Sequence, residues 1–420
     1  MQIGAWLRGS RDAVSNPPRG AVACPDCGAV QALRAFDTHG FLHCYRCASP
    51  LERMRGRSLD AALACSLATF LLLWPANILP LLSVDILGAR RSSVIASGVG
   101  TLWHQDWPLT AIAVAIEIVI LPFFRYGGLV VVLGLLRAGV RGPALGRALR
   151  WIETIDQWAM PDVFLFGGFI GYSRVAPFVP TRIGGGAYCL IAAAFFSMVT
   201  RATFERRATW RLIGPSAERP EPGMVGCQHC DAALPARYDG ARCPRCAGPV
   251  FYSRPATVAR SLAFTVAGLV LYPIAYLYPM EANDRLDSLH PYSIMTGVMR
   301  LVDAHMVFFA AVVFVASIVI PFLKLFALAW FAISVHTRSN RRLRLKTRLY
   351  RMIVTIGRWS HIDVFTVAVF LPLMHLRGFL AVSVGWALPA FLAVVILTMV
   401  ATDLFDPRAM WRAAEAADDG

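Results

Sequence analysis

Charge is scarce in this chain. Only 16% of its 420 residues are charged, against about 25% in an ordinary soluble domain. Lysine is almost missing. Lys324 and Lys346 are the only two, so the net charge of +15 comes nearly all from arginine. This scarcity excludes a large soluble fold clothed in charged helix faces. The signatures of nucleotide and hydrolase chemistry are missing too. There is no glycine-rich phosphate loop, no H-E-x-x-H pair, no G-x-S-x-G elbow and no DHHC tetrad. The chain therefore reads as a non-enzyme. Its first residues lack the roughly 7–15-residue apolar stretch of a cleavable signal peptide.

What is present is apolar. Hydrophobic residues make up 57% of the chain and gather in runs such as 59–82, 109–136 and 307–335. At about 1.5 Å per helical residue, each covers a bilayer core of ~30 Å. The runs predict eight spans, at about 58–82, 108–136, 159–179 and 184–203, then 259–279, 304–335, 363–377 with its flanks, and 382–402. Arginines follow the second, fourth, sixth and eighth runs, whereas the loops after the first and fifth are mixed or acidic. By the positive-inside rule, both termini face the cytoplasm. The positives thus serve topology, and no nucleic-acid partner is expected.

Eight of the ten cysteines fall into four C-x-x-C pairs: Cys24/Cys27, Cys44/Cys47, Cys227/Cys230 and Cys243/Cys246. Four thiolates at such spacing suit a closed tetrahedral site, structural rather than catalytic. Zinc is the expected ion, with iron in a rubredoxin-like site as the alternative. A reducing cytoplasmic location argues against disulfides. Bracing or docking is the expected role of these domains.

The two halves repeat. Pro122-Phe123-Phe124-Arg125 matches Pro321-Phe322-Leu323-Lys324 at an offset of 199. Thr154-Ile155, Trp158 and Asp162-Val163-Phe164 match Thr355-Ile356, Trp359 and Asp363-Val364-Phe365 at an offset of 201. Phe204, Arg207 and Trp210 match Phe405, Arg408 and Trp411. Four spans per copy is an even number, so the copies are parallel. The fold class expected is an all-α polytopic membrane protein. It has about eight transmembrane helices in two tandem parallel four-helix modules, each preceded by a small zinc-ribbon-like domain. The units are 1–57, 58–213, 214–258 and 259–420.

Ionisable residues inside the spans cost at least ~2.5–3.5 kcal/mol each on insertion scales. Glu117 and Arg125 stand eight residues apart, roughly on one helix face. Lys324 takes the Arg125 position in the second half, while Ala316 takes that of Glu117. For Glu117, Arg125 and Lys324 a functional polar pathway is expected. Asp162, Asp363, Arg174 and His375 sit nearer span ends, where interfacial anchoring competes with function.

The chain resembles the paraquat-inducible protein A family. The resemblance is carried by the two C-x-x-C…C-x-x-C domains, by Pro75-Ala76-Asn77-Ile78-Leu79-Pro80, and by the duplicated Pro-Phe-x-basic segment. It implies a bacterial inner-membrane protein that works beside a periplasmic partner with mammalian-cell-entry domains and moves phospholipid between membranes. Under that reading Glu117, Asp162, Asp363, His361 and His375 are titratable candidates for a proton drive. Arg125 and Lys324 are candidate headgroup or counter-charge ligands. A small-molecule or ion transporter and a zinc-dependent sensor or scaffold are the competing readings.

Overall fold

The computed structural model describes residues 20–32, 41–53, 58–86, 89–175, 180–214, 216–253, 255–285, 288–303, 305–374 and 381–418. Two short hairpins, β1 (Ala21–Ala23) with β2 (Val30–Ala32) and β3 (Phe41–His43) with β4 (Pro50–Arg53), carry the first four cysteines. The first half continues with α1 (Leu59–Ile78), β5 (Leu82–Ile86), β6 (Ala89–Ser93) and α2 (Ser97–His104). Then come α3 (Pro108–Arg137), α4 (Pro143–Asp156), α5 (Pro161–Val175), β7 (Thr181–Ile183), α6 (Gly185–Thr203) and α7 (Arg206–Ile213). The second half follows the same order. It runs β8 (Val225–Gly226), β9 (Ala233–Leu234), α8 (Pro255–Leu277), β10 (Glu281–Arg285), β11 (Ser288–Tyr292) and α9 (Ile294–Asp303). It ends with α10 (Val307–His336), α11 (Leu343–Ile356), α12 (Ile362–Met374), β12 (Ala381–Val384), α13 (Ala387–Leu404) and α14 (Arg408–Asp418).

Among the described residues seven helices are long and apolar enough to cross a membrane: α1, α3, α6, α8, α10, α13 and the stretch 343–369 that joins α11 to α12. The remaining expected span is α5, of which 15 residues are described. Residues 176–179, at its expected end, lie outside the described set. Within each module the first span packs along the last, α1 on α6 and α8 on α13, with α3 or α10 beside them.

Two features of each half escape a hydropathy reading. The segments after α1 and α8 are sheets rather than plain loops. Their strand orders are β6-β5-β7 and β11-β10-β12, the third strand entering from just before the last span. The basic stretches after α3 and α10 are amphipathic helices, α4 and α11. Leu145, Leu149 and Ile152 line the buried face of α4 at helical spacing.

The second span of each module contains one π-helical turn, Ile116–Ile120 in α3 and Val315–Val319 in α10. Each sits just before the paired proline, Pro122 or Pro321. A proline ring inside a helix clashes with the carbonyl four residues earlier and offers no N–H. Widening the turn relieves this, and such turns mark functional sites more often than chance. Glu117 lies inside the first of them.

The modules meet through α5 and α12. The Phe164 and Phe365 rings stand 5.6 Å apart, and Thr366 Oγ1 donates to the Gly167 carbonyl at 3.2 Å. Gly98 of α2 lies so close to α12 that a Cβ there would stand 2.1 Å from the Ala368 carbonyl oxygen. Gly98→Ala forces these backbones apart. We expect a loss of about 1–3 kcal/mol, the usual cost of overpacking, read as a lowered unfolding midpoint in detergent.

Candidate metal centres and an intramembrane charge cluster

The four-cysteine sets are closed. Cys24, Cys27, Cys44 and Cys47 are all buried, as are Cys227, Cys230, Cys243 and Cys246, and within each set the sulfurs lie within 4.8 Å of one another. Cys24 Sγ is 3.5 Å from Cys47 Sγ, Cys27 Sγ 3.6 Å from Cys44 Sγ, Cys227 Sγ 3.6 Å from Cys246 Sγ and Cys230 Sγ 3.7 Å from Cys243 Sγ. Four sulfurs bonded at about 2.3 Å to a tetrahedral ion stand about 3.8 Å apart. The cages therefore fit a metal ion, and no cysteine is in a disulfide. Gly28 takes the left-handed conformation after the first knuckle, with φ +76°.

The apolar contacts of the two cysteine domains cross, although Glu52 of the first domain also pairs with Arg211 of the first module and Gln228 of the second domain reaches Asp406 of the second module. Leu343 and Trp411, from the second module, pack into the core of the first domain. Arg344 Nε donates to the Arg46 carbonyl at 3.0 Å, and Arg46 pairs with Glu415 at 2.5 Å. The second domain instead packs on the first module, its cysteines clustering with Leu145, Leu149 and Trp210. Arg206 bridges Asp231 at 2.5 Å and Glu153 at 3.0 Å, while Trp210 Nε1 donates to Glu153 at 2.9 Å. Burial still pushes the Glu153 carboxyl up to about 7. The domains also touch each other, Ala23 N donating to the Asp231 carbonyl at 3.2 Å. Arg408 spans the junction, donating to the Pro25 carbonyl at 3.1 Å and the Gly226 carbonyl at 2.8 Å.

The intramembrane residues form a cluster along the module interface. Glu117 and His361, from opposite modules, are both buried, with Glu117 Oε1 and His361 Nε2 3.4 Å apart. No hydrogen bond joins them, and Glu117 Oε2 and His361 Nδ1 are likewise without partners. Arg125, also buried, pairs with Asp156 and donates to Tyr126 Oη, which donates to Ser197 Oγ at 2.6 Å. Asp162 pairs with Arg201 at 2.7 Å. Asp363 lies on α12, but its side chain is outside the described ones, and His375 lies outside the described residues.

The second module breaks this pattern at one point. Lys324 is only 2% exposed; among the described residues no hydrogen bond or close ion pair reaches it, and the carboxylate whose charge bears on it from further off is Asp403, near the end of α13. The carboxylate that serves Arg125 comes from Asp156, and the repeat places Gly357 at that position. A Cβ on Gly357 would stand 2.9 Å from Lys324 Nζ. The space holds a cavity of about 210 Å³ between the modules, lined by Glu153, Asp156, Lys324, Gly357, Arg358 and Thr402 among others. Sequence reasoning missed Asp156, Arg201 and Gly357. The aligned triplets Thr154-Ile155-Asp156 and Thr355-Ile356-Gly357 contained the signal.

Among the described residues, seven apolar helices, two three-stranded sheets and two metal-competent cages define a polytopic helical membrane protein of duplicated architecture. The chain belongs to the paraquat-inducible protein A family, which it matches twice, over residues 59–214 and 258–415, one match per module. Lipophilic envelope-spanning tunnel protein A of Escherichia coli (strain K12) is 29% identical over 96% of this chain and 93% of its own. Intermembrane transport protein PqiA of the same strain is 27% identical over 93% of this chain and 95% of its own. A probable intermembrane transport protein of Haemophilus influenzae is 25% identical over 95% of this chain and 97% of its own. No solved structure matches.

Proposed function

We propose that this chain is the inner-membrane component of an intermembrane phospholipid transport system. It passes lipid between the bilayer and a periplasmic partner with mammalian-cell-entry domains. Its relatives, named intermembrane transport and envelope-spanning tunnel proteins, support this over nearly the full length of the chain. In this reading both termini and both cysteine domains lie in the cytoplasm, which the arginine-rich ends of the spans support. Zinc in the two cages would supply structural bonds and no open coordination position.

The observation that carries the mechanism is the uneven pair at the module interface. Arg125 is neutralised by Asp156 in direct contact, whereas Lys324 faces a cavity and feels only the more distant charge of Asp403. A buried ammonium held by no close ion pair is costly and is best repaid by an anionic ligand. In this reading a lipid phosphate docks on Lys324. Glu117 and His361, which face each other across the interface, carry the proton that drives the two modules between arrangements. Complementation of a lipid-transport mutant tests the drive. Glu117→Gln and His361→Gln should each lose complementation at unchanged protein levels. Full complementation by both removes the proton step, and a chain purified with a soluble solute instead of phospholipid favours a small-molecule transporter.

A further inference from the structure

We propose that the junction of the two cysteine domains holds a binding site for a protonated oxyanion, a phosphate or phosphomonoester. A cavity of about 270 Å³ opens there, walled by Gly20 to Val22 of the first domain, Arg207 and Arg211 of α7, and Asp231 and Arg245 of the second domain. It shares no wall residue with the cavity at Lys324.

Arg245 lies in the second knuckle, between Cys243 and Cys246, and is 6% exposed. Its Nη1 donates to the Cys230 carbonyl at 3.5 Å, which fixes the guanidinium plane. Among the described residues its Nε and Nη2 have no partner. These two nitrogens share one edge of the guanidinium, the edge that takes two oxygens of a carboxylate or phosphate side by side. Among the described hydrogen bonds, none runs from Arg245 to a cysteine sulfur, so this edge is not spent on the metal cage. Arg207 lines the same cavity at 9% exposure. Its Nη2 is 3.4 Å from Asp231 Oδ2, and its Nη1 is unpartnered. Buried guanidinium groups with unmade hydrogen bonds are costly, and a ligand that completes them is bound for that reason.

The acids of the wall decide which anion fits. Glu218 lies exposed to solvent in the wall, Glu52 is taken by Arg211, and Asp231 Oδ2 by Arg206 and Arg207. Asp231 Oδ1 remains, buried and without a partner. A carboxylate oxygen only accepts hydrogen bonds. It repels sulfate, which carries no proton at neutral pH, but accepts from the P–O–H of a singly protonated phosphate. The site therefore selects phosphate chemistry over sulfate, and the cavity leaves room for a substituent on the phosphate. A bound ligand would join Arg245 of the second domain to Arg207 of the first module beside strand β1, tightening the crossed docking.

The test is thermal unfolding of the full metal-loaded chain in detergent, titrated with inorganic phosphate or with sulfate at matched ionic strength. Phosphate should raise the midpoint saturably and sulfate should not. Arg245→Gln and Arg207→Gln should each abolish the phosphate shift, and Asp231→Asn should erase the preference over sulfate. Equal shifts from both anions in the wild type, or a phosphate shift that survives Arg245→Gln, overturns the proposal. A parallel arm uses phosphatidylcholine nanodiscs with and without phosphatidic acid. A shift there that needs Arg245 identifies a lipid phosphomonoester as the source, and a shift only with dissolved phosphate identifies a soluble one. No shift in either arm also overturns it.

Discussion

Lys324→Met should bring lipid transport down to background while making the protein more stable. The gain follows from removing a buried ammonium that no close ion pair holds, and the insertion penalty of a mid-span lysine bounds it at roughly 2.5–3.5 kcal/mol. Gly357→Asp approaches the same site from the other side. It restores to the second module the carboxylate that Asp156 gives the first, within reach of Lys324 Nζ. The flexible end of the lysine can yield the space. This variant should also be more stable, and it should also lose transport, because the ammonium is then held by the protein instead of the cargo. Unfolding midpoints together with a complementation assay read both effects. Unchanged transport in either variant would show that Lys324 is a packing residue.

Loss of a metal centre should act on the opposite module. Structural zinc in small finger domains is worth about 10–16 kcal/mol, as much as the ~5–15 kcal/mol that stabilises a whole domain. Under the proposed zinc occupancy of both cages, Cys246→Ser should therefore reduce bound metal from two ions per chain to one and unfold the second cysteine domain. Because that domain packs on Leu145, Leu149 and Trp210, amide protection should fall in α4 and α7 of the first module. Cys27→Ser should instead strip protection from α14, where Trp411 enters the core of the first domain. Metal analysis and hydrogen exchange on the two variants check this. Deprotection of the module that follows each domain in sequence would contradict the crossed docking.

The parts legible in the sequence are those fixed by local chemistry. The C-x-x-C spacing places two sulfurs on one tight turn, so all eight metal-competent residues could be read directly. The prolines before Arg125 and Lys324 announced an irregularity in both long helices, and each has its π-helical turn. Parts decided by distant contacts were not legible. The eight-residue spacing sets Glu117 and Arg125 roughly on one helix face, whereas the fold brings His361 of the other module to Glu117. The small sheets were hidden in mixed loops, since strands of five residues and three residues carry little periodicity. The α4 and α11 helices were hidden by their arginines, which read as topology signals although the apolar face between them is helical. The crossing of the cysteine domains has no sequence signature at all.

The most direct test of the central claim is phospholipid transfer in a purified system. Labelled lipid in proteoliposomes bearing this chain is offered to the purified protein with mammalian-cell-entry domains proposed as its partner, and the label on that protein is measured. The account predicts transfer with the wild-type chain and background transfer with Lys324→Met or Gly357→Asp. Transfer that is the same with the wild-type chain, with either variant and with empty liposomes would contradict it.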